Sequence, residues 1–332
     1  MKRFIAEFEE QSFTQIIFPH PKSDWCEYLD DAKENFINII KAIIKYQKCL
    51  VVCDNVADVS GYFTPHKNLF FVEYQTNDTW ARDCSALSIV EDKKLKLLDF
   101  TFTGWGGKFD ASLDNEMSQT ISSHYGAPMQ SIDLILEGGG VESNGEGIIL
   151  TTSECMLNPN RNSHLSEEQM TQKLQELFGA KEILYLHNGY LAGDDTDSHI
   201  DTLARFIDAN TIMYVKCENS LDEHYEALKA MEEELFALQR SHGFELIALP
   251  MCAPLFYDEE RLPATYANFL FVNGAVIVPI YGLDQDAEAL EIFRKTFPKH
   301  DIVGVDCSVL VRQHGSLHCV TMNFAKGIEL RM

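Results

Sequence analysis

Apolar residues recur at helical spacing in three stretches. Within residues 24–46, Leu29, Phe36, Ile40, Ile43 and Ile44 fall on one helical face. Residues 166–178 open with Ser166 and Gln169 as a Ser-x-x-Gln capping pattern, and residues 221–240 carry Leu228, Met231, Leu235 and Leu238. Between and after them lie short β-like runs at 49–53, 68–73, 86–90, 95–100, 147–151, 183–186, 211–215, 246–249, 269–272, 276–280 and 317–322. The pattern predicts an α/β chain. No Pro/Gly/Ser-rich linker divides it, so residues 1–332 read as a single domain.

A second regularity lies in the breaks. Five polar, turn-rich corners each sit beside a β-like run: Trp80-Ala81-Arg82-Asp83, Glu137-Gly138-Gly139, Ser198-His199-Ile200-Asp201, Thr265-Tyr266-Ala267-Asn268 and Gly315-Ser316-Leu317-His318-Cys319. From Asp83 through Glu137, Asp201 and Asn268 to Cys319 the steps are 54, 64, 67 and 51 residues. A period of that size fits stacked or radially arranged units, or coincidence in a chain rich in short strands.

Composition narrows the partners. With 27 basic against 51 acidic residues the formal charge is −24. Phosphate backbones and anionic membranes would be repelled, which argues against nucleic-acid or membrane binding. The charge fits plain solubility or a field that gathers cationic small molecules. Glu7, Glu9 and Glu10 fall where a signal peptide needs an apolar core, and no apolar run is long enough to span a bilayer. Nine scattered cysteines without a Cys-x-x-Cys pair disfavour a disulfide framework or zinc ribbon and predict a reducing, cytoplasmic setting. Homo-oligomerisation is compatible with all of this.

Three groups of residues carry candidate chemistry. If extended, the segment holding His199 and Asp201 puts both side chains on one face, where they fit metal-free catalysis, two ligands of a metal, or an acidic surface loop. Cys319, between His318 and Val320, reads as a buried small hydrophobe or as a thiol presented at a strand end. In an extended chain His318 would face away from Cys319, leaving His199 the better base. Asp83 and Glu137 read as a solvated ion pair with Arg82 and a turn acid before a Gly run, or as carboxylates of the kind that bind a guanidinium's paired N–H donors.

Taken together, Thr79-Trp80-Ala81-Arg82-Asp83, Gly104-Trp105-Gly106-Gly107-Lys108-Phe109, Glu137-Gly138-Gly139, Asn158-Pro159-Asn160-Arg161-Asn162, Asp194 to Asp201, Leu262 to Phe269 and Ser316-Leu317-His318-Cys319 resemble the agmatine deiminase and bacterial peptidyl-arginine deiminase family. The resemblance implies a pentein fold, a five-bladed α/β propeller of ββαβ modules about a pseudo-fivefold axis. It implies Cys319 as nucleophile, His199 as general acid and base, Asp83 and Asp201 as guanidinium-binding carboxylates, and Glu137 as a further acid. Trp80 and Trp105 would flank the substrate's alkyl chain, and Asn268 would line the site. No cofactor and no metal are implied.

Departures from the family pattern occur at Cys84-Ser85-Ala86, Glu142, Asn144, Ser198 and Ser316, and they bear on substrate preference. Agmatine is the expected partner, because a dication suits an acidic protein. Peptidyl-arginine or another guanidine is the alternative. Two other classes stay open: a metal-dependent hydrolase using His199, Asp201 and Asp83, and a non-catalytic guanidine binder in which Cys319 is structural.

Overall fold

A computed structural model describes residues 2–332. Among them, five sheets repeat one order: an antiparallel strand pair, a helix, then a strand returning parallel to the second of the pair. Leu87–Glu91 and Lys94–Thr101 are followed by helix Ser112–Thr120 and strand Met129–Ile135. Glu142–Ser143 and Ile148–Thr152 precede helix Glu167–Phe178 and strand Glu182–Leu186. Ala204–Phe206 and Thr211–Lys216 precede helix Tyr225–His242 and strand Glu245–Pro250. Leu270–Val272 and Ala275–Ile280 precede helix Gln285–Thr296 and strand Asp301–Asp306.

The remaining unit joins the chain's two ends. Strand Thr321–Ala325 pairs antiparallel with Gln11–Ile17, and helix Leu29–Ile43 leads to Lys48–Cys53, parallel to Gln11–Ile17, with Leu69–Glu73 beyond it. Helix Leu29–Ile43 buries Phe36, Ile39, Ile40 and Ile43 on one face, while five of the six residues in Lys48–Cys53 are buried. Strands covered on both sides read as continuous apolar runs, which is why this one was visible in the sequence. Phe13 and Phe324 stack at 4.4 Å between centroids, with Tyr125 stacked 4.9 Å from Phe324. Removing a fully buried ring such as Phe13 costs about 3–5 kcal/mol.

Most predicted elements are present within a residue or two. Four differ. The helix predicted over 221–240 begins only at Tyr225 and runs to His242. Residues 24–46 divide into a 3-10 turn, Asp24–Tyr28, and helix Leu29–Ile43. Residues 317–320 form a turn, and the strand begins only at Thr321. His199 and Asp201 do not alternate along a strand: His199 precedes a 3-10 turn, Ile200–Thr202, which carries Asp201.

The last two corrections share one cause. Each corner is a short turn placed just before the first strand of its antiparallel pair: Asp83 before Leu87, Glu137 before Glu142, Asp201 before Ala204, Asn268 before Leu270, and Cys319 before Thr321. The five corners thus occupy the same end of equivalent strands in five equivalent units.

Candidate active site

Asp83 lies in the single-turn helix Ala81–Cys84 and is buried. Its Oδ1 accepts from the Gly139 backbone N–H at 2.9 Å, and its Oδ2 accepts from the Trp105 indole at 3.0 Å. His199, equally buried, sets Nδ1 3.7 Å from Asp83 Oδ1 and Nε2 3.7 Å from Glu137 Oε2. The Nε2 atom has no hydrogen-bond partner. Burial opposes charge on this ring, but Asp83, the Cys155 sulfur and Glu137 raise it well above the ordinary histidine range. These neighbours favour the protonated ring.

Glu137 is held by Arg161, whose Nε donates to Oε1 at 3.0 Å and to Oε2 at 2.8 Å. Arg161 also donates to Asp197 Oδ2 at 2.6 Å. Burial favours a protonated Glu137, yet His199 and Arg161 hold its carboxyl below the usual range.

Cys319 is nearly buried, with Sγ 3.3 Å from Asn268 Nδ2 and 4.0 Å from Asp201 Oδ2. Asn268 Oδ1 also accepts from the His318 backbone N–H at 2.8 Å, so one amide side chain spans the turn that presents the thiol. Burial, then Asp201 and Asp83, push the Cys319 thiol well above its ordinary range. Asp201 goes the other way. Burial would raise it, but the hydrogen bond and charge of His318 lower it, and its Oδ1 is left buried without a partner.

Gly139 explains how these groups come so close. A Cβ there would lie 2.6 Å from His199 Nδ1, 2.9 Å from Asp83 Oδ1 and 3.1 Å from Asp201 Oδ2. Only a residue without a side chain lets three catalytic-type groups meet at that point.

Outside this cluster a cavity of about 160 Å³ reaches the surface, lined in part by Cys319, Asp83, Trp80, Trp105 and Phe109. Trp80 and Trp105 meet edge to face at 6.4 Å. Trp105 holds φ at 55°, a left-handed conformation costly for a non-glycine residue and frequent at functional sites. Asp24, Asp78 and Asp195 also line the cavity, and its lining includes no Lys or Arg among the described residues.

Every residue singled out in the sequence therefore converges: Cys319, His199, Asp83, Asp201, Glu137 and Asn268 in the buried cluster, Trp80 and Trp105 on the cavity wall. The departures lie elsewhere. Ser85 accepts from Gln15 at 2.9 Å, Asn144 accepts from the backbone of Glu146 and Ile148 at 2.9 Å, and Ser316 bonds Tyr281 at 2.8 Å. Glu142 pairs with Arg205. None of Ser85, Ala86, Glu142, Asn144, Ser198 and Ser316 lines the cavity.

Two groups of three mutually close donor side chains occur among the described residues: Glu137, Cys155 and His199, and Glu7, Glu142 and His318. The set His199, Asp201 and Asp83 is not one of them. Both Asp83 oxygens already accept N–H groups, a poor arrangement for a metal ligand.

Sequence reasoning missed Glu7, Arg205 and Cys155. Arg205 follows Asp201 by four residues and is fully buried, and Glu7 sits in an acidic N-terminal run. Neither position carries a local signal of its burial.

The fold is shared with the inosamine-phosphate amidinotransferase of Streptomyces griseus, at 11% identity, TM-score 0.51 and coverage of 99% of this chain and 98% of that one. A mixed α/β fold of the amidinotransferase kind, with a buried Cys-His-carboxylate cluster, is thus the class. Residues 3–324 match the Porphyromonas-type peptidyl-arginine deiminase family, and the chain belongs to it. It is 45% identical to a C. jejuni agmatine deiminase solved with substrate bound, at TM-score 0.95 over 100% of this chain and 98% of that one. It is 29% identical to an agmatine deiminase of Medicago truncatula, covering 95% of this chain and 94% of the relative. An Enterococcus faecalis agmatine deiminase structure matches at 29% identity and TM-score 0.89, over 98% and 96% of the two chains.

Proposed function

We propose that the chain is an agmatine deiminase, hydrolysing agmatine to N-carbamoylputrescine and ammonia in one catalytic domain of 1–332. The five repeated units are read as a pentein arrangement about a pseudo-fivefold axis, with the five corners at its centre. One observation carries the reading: Asp83 and Asp201 approach one point beside Gly139, with Cys319 and His199 next to them and Asp201 Oδ1 unpartnered. Two fixed carboxylates suit a guanidinium, and the thiol suits its central carbon.

The electrostatics make the thiolate depend on substrate. In the free protein, burial and the two carboxylates keep the Cys319 proton in place. A bound guanidinium sets a positive charge between the two carboxylates and the sulfur, which lowers the cost of the thiolate, so the thiol proton leaves to solvent as the cation enters. The thiolate forms a bond to the guanidine carbon, and protonated His199 gives its proton to the amino group, which departs as ammonia when the C–N bond breaks. A Cys319 thiouronium remains. Neutral His199 then takes one proton from water as the oxygen adds to the same carbon, and the C–S bond breaks as the hydroxyl's remaining proton passes to the Cys319 sulfur, which releases the ureido product and restores the thiol and protonated His199.

The cavity favours agmatine over arginine. Its acidic lining attracts the far ammonium of agmatine and repels the α-carboxylate of arginine. Incubation with agmatine, free arginine and an arginine peptide, followed by assay of the ureido product, tests this. Agmatine should give product with kcat/KM at least about a hundredfold above the other two. Preference for the peptide would establish the peptidyl-arginine reading instead.

A further inference from the structure

Beneath the site lies a buried charge network to which all five corners contribute. His318 Nδ1 lies 2.6 Å from Asp201 Oδ2, and its Nε2 faces Glu7 Oε2. Arg205 reaches the same Glu7 oxygen at 2.9 Å, pairs with Glu142, and donates to the Phe269 and Ala267 carbonyls at 2.9 and 3.3 Å. Arg82 Nη2 lies 3.4 Å from Glu7 Oε2 and donates to Asn323 Oδ1 at 2.7 Å. Glu7 thus joins residues adjoining the corners of Asp83, Asp201 and Cys319, and Arg205 ties in the other two.

His318 is the link between this network and the reaction. Each ring nitrogen sits against a carboxylate oxygen, and neither carboxylate has a proton to give: burial alone would raise Glu7, but His318, Arg205 and Arg82 push it far below the usual range. A neutral imidazole has one N–H and would leave its second nitrogen lone pair against a carboxylate lone pair. A doubly protonated ring donates to both. It holds Asp201 by Oδ2 alone, which leaves Oδ1 bare for the guanidinium.

We propose that His318 is a positioning residue, an imidazolium clamped between Glu7 and Asp201 that fixes and charges the Asp201 carboxylate for guanidinium binding. It touches no reacting atom and acts through Asp201. The role rests on the guanidine-hydrolase reading for its kinetic consequences, but not for the protonation state of the ring.

The pH consequence follows from the groups around Asp201. His318, His199, Arg205 and Arg82 are the basic groups that face it, while Asp83 and Cys319 are its acidic neighbours. His318 is the one that bonds it directly, so removing that charge raises the pH at which Asp201 ionises.

His318→Asn tests charge apart from geometry, because the Asn amide can stand near the Nδ1 position and donate to Asp201 without a charge. The acidic limb of kcat/KM for agmatine should move up by about one pH unit or more, and KM should rise about tenfold or more with kcat changed less. His318→Ala, lacking the donor as well, should raise KM further. Unaltered KM and acidic limb in His318→Asn would overturn the proposal. In the wild-type protein, nitrogen NMR of labelled histidine should show both His318 ring nitrogens protonated between about pH 6 and 8. A single N–H there would overturn the proposal even if neither variant folds. If the wild-type protein deiminates no guanidine, the functional reading fails while the NMR result still decides the state of His318.

Discussion

The Trp105 indole N–H donates to Asp83 Oδ2 at 3.0 Å, so a wall of the cavity also fixes one of the two carboxylates at its base. The left-handed backbone at Trp105 aims the ring there. Trp105→Phe keeps an aromatic wall and removes only the donor. A hydrogen bond to a charged group contributes about 1.5–3 kcal/mol, so kcat/KM for agmatine should fall about ten- to a hundredfold, mostly through KM. A steady-state profile with unchanged KM would refute the link.

Cys319→Ser should abolish ammonia release and leave agmatine binding. Calorimetric titration should return a dissociation constant within about tenfold of the wild-type KM. Residual turnover above about one percent would reject Cys319 as nucleophile.

Gly139→Ala places a methyl group against His199, Asp83 and Asp201 at once. Overpacking of a tight interior costs about 1–3 kcal/mol, and here the displaced groups are the reactive ones. Activity should drop by at least about a hundredfold, with a smaller loss of stability in urea. A fully active variant would show that the contact is not needed.

Asp78 ties the cavity rim to pH. Burial, with Asp24 and Asp114 nearby, pushes its carboxyl up to about 8. Its pKa is higher folded than unfolded, so its contribution to stability is complete below about pH 4 and is lost as pH rises toward 8. Asp78→Asn keeps an oxygen to accept from the Trp80 indole, which now donates to Asp78 Oδ2 at 3.0 Å. Its urea midpoint relative to wild type should therefore improve between about pH 5 and pH 8. An identical pH trend in both proteins would contradict the assignment.

Much of the fold was legible. The capping pattern at Ser166 and Gln169 is a full reciprocal capping box, and the Val-rich run of Ala275–Ile280 is a strand with five of six residues buried. Strand Gln11–Ile17 was not visible, because Gln11, Thr14 and Gln15 interrupt its apolar run. Gln15 is satisfied only by Tyr125 and Ser85, 110 and 70 residues away. Helix Gln285–Thr296 buries just Ala289 and Phe293, too few for an apolar stripe to stand out.

The five corners and their chemistry are written locally, because turn formers and reactive side chains sit together within a few residues. The sequence placed Cys319, His199, Asp83, Asp201 and Glu137 at those corners. His318 and Cys319, expected to face apart in an extended chain, instead both approach Asp201 Oδ2, at 2.6 and 4.0 Å, because a turn and not a strand carries them. Tertiary structure alone decided what each group is paired with. His318 meets Asp201 across 117 residues and Glu7 across 311, and Arg205 meets Glu142 across 63. Charge state and orientation follow from those partners and from burial, neither of which is encoded locally. That is why neither Glu7 nor His318 stood out until the five sheets brought them beneath one thiol.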